Sequence, residues 1–209
     1  MTDSFWEGVQ AAWLAMSYWE VIAVVLAVIY VVLAARESIW CWPAALLSSA
    51  IYFGLLLEAK LYLETGLQVF YFLMAVVGWW AWSRSPKNDT SPQRPIASMA
   101  TREHVNAILL GGLFTLGFGY YFSVATDAAM PFWDAFTTGF ALWTTWLVTQ
   151  KKLENWLYWI VIDAVSVYLY FSRGFYLSAL LFVAYTIIAA VGYRQWLLQY
   201  RAQQQEVAQ

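Results

Sequence analysis

Residues 60–82 read KLYLETGLQVFYFLMAVVGWWAW, and residues 174–196 read GFYLSALLFVAYTIIAAVGYRQW. Each is an apolar run about as long as the roughly 20 helical residues that cross a bilayer core. Laid on each other without gaps, they match at Tyr62-Leu63 with Tyr176-Leu177, Tyr71 with Tyr185, Gly78 with Gly192 and Trp82 with Trp196. The same offset of 114 residues, carried backwards, lays 18–82 on 132–196 and pairs Trp19 with Trp133, Glu20 with Asp134 and Trp42 with Trp156. Fifteen of the 65 positions are then identical, where apolar composition alone gives roughly one in ten. The chain is read as an internal repeat, and the repeat decides the fold.

The rest of the composition agrees with a membrane setting. Of 209 residues, 62% are hydrophobic and 11% charged, against about half and about a quarter in soluble domains. A single core of this size cannot hide so many helices that are apolar all round. Seven spans are predicted, near 18–35, 39–57, 63–82, 105–123, 132–150, 155–172 and 176–198. Most lack the alternation of a transmembrane β-barrel, so the fold class is an all-α integral membrane protein. A net charge of -2 argues against a nucleic-acid partner. The single cysteine, Cys41, excludes an internal disulfide and a zinc–cysteine site, and no cofactor or metal is expected. No cleavable leader is expected, because residues 1–17 hold acids and no basic n-region.

The repeat divides the spans into three, one and three: a first repeat 18–82, a linker helix 105–123 and a second repeat 132–196. With one span between them, the repeats share their orientation across the membrane. Parallel repeats of this kind occur in transporters, with substrate held near the midplane between the halves. Residues 1–17 carry Phe5, Trp6, Val9, Trp13 and Met16 at helical spacing after Ser4 and Glu7, which fit a capping box. They are predicted to form an interfacial amphipathic helix. Residues 83–104, with Pro86, Pro92 and Pro95, read as a flexible solvated loop. Seven spans place nine Lys and Arg residues on one side and two, Lys60 and Arg173, on the other. The basic side is cytoplasmic by the positive-inside rule, so the N-terminus is expected outside and the C-terminus inside.

The polar residues within the spans are the candidate site. Asp163, in ENWLYWIVID at 154–163, lies nine residues past Glu154. That depth is about 13 Å along the helix, near the bilayer centre, where a carboxylate costs at least about 2.5–3.5 kcal/mol. Glu20, Glu37, Asp134 and Glu154 lie near span ends, within reach of water or headgroups. Trp156, Trp159, Asp163 and Ser166 share one helix face, and their repeat mates are Trp42, Ala45, Ser49 and Tyr52. Gln68 and Tyr71 mate with Phe182 and Tyr185. Together these make a pocket of aromatic walls with few polar groups. Several have plainer readings. Trp42 and Trp156 also fit an interfacial belt. Trp159, Tyr71 and Tyr185 also fit helix packing, and Ser49, Ser166 and Gln68 fit interhelical hydrogen bonds. Asp163 also fits a structural hydrogen bond or a protonated carboxyl. Asn155 also fits a helix cap, and Thr137, Thr138, Thr144 and Thr145 fit back-bonding as well as a path. As a pocket, these residues favour a flat cationic ring; with no Arg or Lys among them, they suit a phosphorylated ligand poorly.

The segments RESIWCWPAALLSSAIYF, KLYLETGLQVFYFLMAVVGWWAW, KKLENWLYWIVID and GFYLSALLFVAYTIIAAVGYRQW resemble the PnuC family of bacterial nicotinamide riboside transporters. The resemblance covers about residues 18–198. It implies a fold like the full-length SWEET proteins, a homotrimer in the bacterial cytoplasmic (inner) membrane, and facilitated diffusion of unphosphorylated nicotinamide riboside. Phosphorylation inside the cell would then trap this NAD precursor. Relatives on the same scaffold are thought to carry thiamine, riboflavin or deoxynucleosides, and thiamine is also a flat-ringed cation. A proton-coupled version stays open, since a midplane acid can carry a proton. A membrane-bound enzyme would need a metal cluster, an acid dyad or a nucleophile with its base, and the sequence offers none. A sensor that binds without transport is the remaining rival.

Overall fold

The computed structural model describes residues 2–84 and 94–207. Among them are eight helices: α1 (Thr2–Ala15), α2 (Tyr18–Ala35), α3 (Cys41–Glu58), α4 (Tyr62–Trp82), α5 (Thr101–Ala125), α6 (Pro131–Thr149), α7 (Asn155–Ser172) and α8 (Tyr176–Val207). Local chemistry sets several starts. The Ser17 side chain accepts from the Glu20 amide at 3.2 Å ahead of α2. Glu103 accepts from the Ala100 amide at 2.7 Å ahead of α5. Pro131 opens α6, where its missing N–H costs nothing.

Four helices end in the same way. The residue after the helix turns left-handed, and the next amide bonds back to a carbonyl of the last turn. At Glu37 (φ 54) the bond is Ser38 to Leu33 at 2.9 Å, and at Lys151 (φ 50) it is Lys152 to Leu147 at 3.0 Å. At Lys60 (φ 59) it is Leu61 to Leu56, and at Gly174 (φ 79) it is Phe175 to Tyr170, both at 2.9 Å. Glu37 and Lys151 are 114 residues apart, and so are Lys60 and Gly174.

Within each half, α2 packs on α3 and α3 on α4, as α6 packs on α7 and α7 on α8. Between the halves, α2 packs on α8 and α4 on α6, two contacts that the 114-residue offset exchanges. The six helices therefore close into a ring. Helix α5 leans on α6 from outside, and α1 lies against α8, with Phe5 5.0 Å from Tyr176 between ring centres.

Five helices are long and apolar enough to cross a membrane: Tyr18–Ala35, Cys41–Glu58, Glu64–Trp82, Thr101–Ala125 and Tyr176–Glu206. Helices α6 and α7 fall short because polar residues lower their hydropathy, and several of these are turned inward. Thr144, Thr145 and Thr149 on α6, and Asn155, Asp163 and Ser166 on α7, are all buried. Helix α8 runs on to Val207, past the expected end at 198. The Ser4 half of the expected capping box lies outside the described side chains, and residues 85–93 of the expected loop lie outside the described residues.

The rest of that loop differs from the expected solvated linker. The Ala97 amide donates to the Lys151 carbonyl at 3.0 Å, and the Leu153 amide donates back to Ala97 at 2.9 Å. The Glu154 carboxylate accepts from the Met99 amide at 2.8 Å and from the Ser98 hydroxyl, and Arg94 donates to Gln150 at 2.7 Å. Main-chain pairing, which no side-chain pattern announces, straps this segment onto the α6–α7 turn. Glu154 is thus engaged by protein. Glu37 is not left to water either: its carboxylate is only 11% exposed and pairs with Lys151 at 2.9 Å.

Candidate functional site

Inside the ring lies a cavity of about 510 Å³, within the range of small-molecule sites. Helices α2, α3 and α4 form one wall and α6, α7 and α8 the other. Of the twenty-six residues that line it, twenty-two fall into eleven pairs 114 residues apart. The cavity therefore lies on the axis relating the halves. Ala34 and Val148 pair at its basic end, Trp42 with Trp156 above them, Ser49 with Asp163 and Tyr71 with Tyr185 in the middle, and Glu64 with Ser178 at the far end. Glu64 is exposed there, so the cavity reaches the surface on the side away from the strap.

Nine of the eleven candidate residues line it: Trp42, Ser49, Tyr52, Gln68, Tyr71, Trp156, Trp159, Asp163 and Tyr185. The other two do not. Ser166 is turned back on its own helix and donates to the Ile162 carbonyl at 2.9 Å. Asn155 is fully buried below the floor, and its amide donates to the Lys152 carbonyl at 2.6 Å. Asn155 is not the cap of α7 either. Glu154 occupies the cap position, and Asn155 instead pins the turn before it. Thr144, Thr145 and Thr137 back-bond to their helix, and Thr145 also faces the cavity.

The site's local build follows from its glycines and tryptophans. A methyl at Gly192 would come within 2.9 Å of the Trp156 indole, and one at Gly78 would collide with the Trp42 indole. Both indoles thus lie tight against glycine backbone. Their Nε1 atoms are buried without a hydrogen-bond partner among the described residues. Asp163 is 4% exposed, and no ion pair among the described residues involves it. Among the described residues, Asp163 and Glu64 are the only charged ones in the lining, which holds no Lys, Arg or His.

Sequence reasoning missed Tyr30, Ser48, Glu64, Tyr170 and Ser178 in the lining. Tyr30 had a readable signal, because Ala27, Tyr30, Val31 and Ala34 form one face of α2 at helical spacing. Tyr170 continues the α7 face seven residues beyond Asp163. Glu64 and Ser178 look like first-turn residues of their helices, and only the closed ring brings them to one mouth.

The geometry is joined by comparison with known proteins. A solved structure described as the crystal structure of the vitamin B3 transporter PnuC superposes with a TM-score of 0.72, covering 96% of this chain and 90% of that one at 18% identity. The Escherichia coli nicotinamide riboside transporter PnuC is 25% identical over 206 residues, covering 87% of this chain and 86% of the relative. The riboflavin/roseoflavin transporter RibM of Streptomyces davaonensis is 25% identical over 178 residues, covering 85% and 83%. The family model described as nicotinamide mononucleotide transporter matches residues 17–198. That match takes in α2 to α7, α8 as far as residue 198 and every residue of the cavity, and the chain belongs to this family of membrane transporters, which are not enzymes.

Proposed function

We propose that this chain carries nicotinamide riboside across a bacterial cytoplasmic membrane. The observation that carries the reading is the cavity's charge. Aromatic walls and two carboxylates, with no basic residue, suit a flat cationic ring. A phosphate brings a charge of about -1.5 to -2 near neutral pH and would find no counter-charge there. This favours the riboside over the mononucleotide of the family's description. Binding falls to Trp42, Ser49, Tyr52, Gln68, Tyr71, Trp156, Trp159, Asp163 and Tyr185, with Asn155 and Ser166 holding α7 in place.

The working form is seven spans in a 3+1+3, SWEET-like arrangement of parallel repeats, 18–82 and 132–196, around the linker helix. The exchange of α2–α8 and α4–α6 contacts under the offset supports it. The 9-to-2 split of basic residues supports an N-terminus outside and a C-terminus inside. Residues 1–17 serve as an interfacial helix, which exposed Trp6 and Trp13 favour. Transport runs down the gradient, with phosphorylation inside trapping the product. The resemblance supports a homotrimer, to be checked by light scattering of the detergent-solubilised protein.

The deciding experiment is uptake into proteoliposomes of radiolabelled nicotinamide riboside, nicotinamide mononucleotide, thiamine and riboflavin. Nicotinamide riboside is expected to enter without an imposed pH gradient, and the mononucleotide not to enter. The Streptomyces relative favours riboflavin as the second reading, and uptake of riboflavin alone would put it first. Uptake that needs a pH gradient would make the protein a proton-coupled carrier.

A further inference from the structure

The floor of the cavity is built symmetrically from residues that belong to opposite halves. Lys151 Nζ donates to Glu37 Oε2 at 2.9 Å, and the lysine is 1% exposed. These are repeat mates 114 residues apart, both left-handed at the end of equivalent helices. Beside them the Trp82 indole donates to the Val148 carbonyl at 3.2 Å, and the Trp196 indole to the Ala34 carbonyl at 3.1 Å. Trp82 and Trp196 are mates, and so are Ala34 and Val148, so the two bonds are reciprocal across the same axis. The ammonium of Lys151 lies 4.6 Å above the Trp82 ring.

We infer that Glu37, Lys151, Trp82 and Trp196 form the gate at the basic end of the cavity. Parting the halves there breaks the ion pair and both indole–carbonyl bonds together. This rests on the transport reading, and deepens it by naming the residues that open.

Three features suit the contact to a gate and not to a permanent weld. Its charges sit on opposite halves, so separation lets water solvate each of them. The second Glu37 oxygen is buried without a partner, which limits how favourable closure is. Trp82 packs edge-on against Trp42 at 5.2 Å, and Trp196 against Trp156 at 5.5 Å. The two indoles that wall the cavity thus touch the two that close it, so a ligand on the walls acts on the gate through Trp42 and Trp156. Lys151 is the anchored side, because the strap bonds its carbonyl to Ala97.

Cys41 reports the gate without any substrate. It is the single cysteine, fully buried in the same cluster as Trp82 and Trp196. Purified protein in detergent is reacted with a water-soluble maleimide. Glu37→Gln and Trp196→Phe are each expected to speed labelling at least ten-fold, and Lys60→Gly, at the far end, to leave it unchanged. Because the two gate positions share one backbone conformation, the exchanged pair Glu37→Lys with Lys151→Glu is expected to restore slow labelling. Unchanged labelling in both single variants overturns the gate. So does fast labelling in the exchanged pair when its unfolding temperature matches the native protein. Failure of nicotinamide riboside uptake would instead overturn the substrate and leave the labelling result standing.

Discussion

Asp163 is the residue whose chemistry most limits what the cavity can hold. It is buried at mid-helix, lies within electrostatic reach of Tyr71 and Tyr185, and faces its mate Ser49 across the axis. When ionised, its carboxylate favours a cation in a site of low dielectric. Asp163→Asn keeps the shape and removes the charge. It is expected to weaken nicotinamide riboside binding about ten-fold or more, a loss of about 1.4 kcal/mol, by calorimetric titration. Unchanged affinity would reduce Asp163 to a wall residue. Gly192→Ala tests the wall itself. A methyl 2.9 Å from the Trp156 indole forces that ring to move, and overpacking of this kind costs about 1–3 kcal/mol. A lower unfolding temperature with weakened binding is expected. The pocket face was legible at this scale because helical spacing and repeat mates point the same way. Ser166 leaves the cavity because a serine on a helix has a second partner, its own i−4 carbonyl, and Asn155 because an amide beside a turn has the turn.

The helices were legible where apolar run length decides, and their ends much less so. Hydropathy alone does not single out α6 and α7, whose threonines and Asp163 are buried; the repeat predicts both as helices, because their mates α2 and α3 are plainly apolar. The left-handed ends were not legible. Glycine marks only one of the four, at Gly174, while Glu37, Lys60 and Lys151 hold the same turn with a side chain. A left-handed non-glycine residue costs about 1–2 kcal/mol. At Glu37 and Lys151 the ion pair offsets that cost, but Lys60 is exposed and no ion pair among the described residues involves it. Lys60→Gly is therefore expected to stabilise the protein, raising its unfolding temperature by about 2 °C. A fall would mean that this turn is not left-handed. The strap at 94–100 escaped sequence reading for a different reason: Ala97 pairs through its backbone, and its side chain says nothing.

For the whole molecule, the ring and the charge split make one joint statement about topology. Seven spans alternating in direction from α2 to α8 would gather Arg36, Arg84, Lys151, Lys152 and Arg194 at the strapped end and Lys60 and Arg173 at the other. Glu64, at the cavity mouth, belongs to that second end. If basic residues stay in the cytoplasm, the mouth faces outward and the closed floor inward, the arrangement a carrier needs to receive a solute from outside. Reporter fusions test this directly. A cytoplasm-dependent fluorescent protein fused after residue 207 is expected to glow, and one fused at residue 60 or 127 to stay dark. Alkaline phosphatase, active only outside the cytoplasm, is expected to give the reverse pattern. An N-terminus and C-terminus on the same side would require an even number of spans. Parallel repeats need an odd number of spans between α2 and α6, here α3, α4 and α5, so loss of the α5 crossing would invert one half against the other. The Glu37–Lys151 pair and the two indole bonds join like ends of the halves, so opposite-side termini are the expected result.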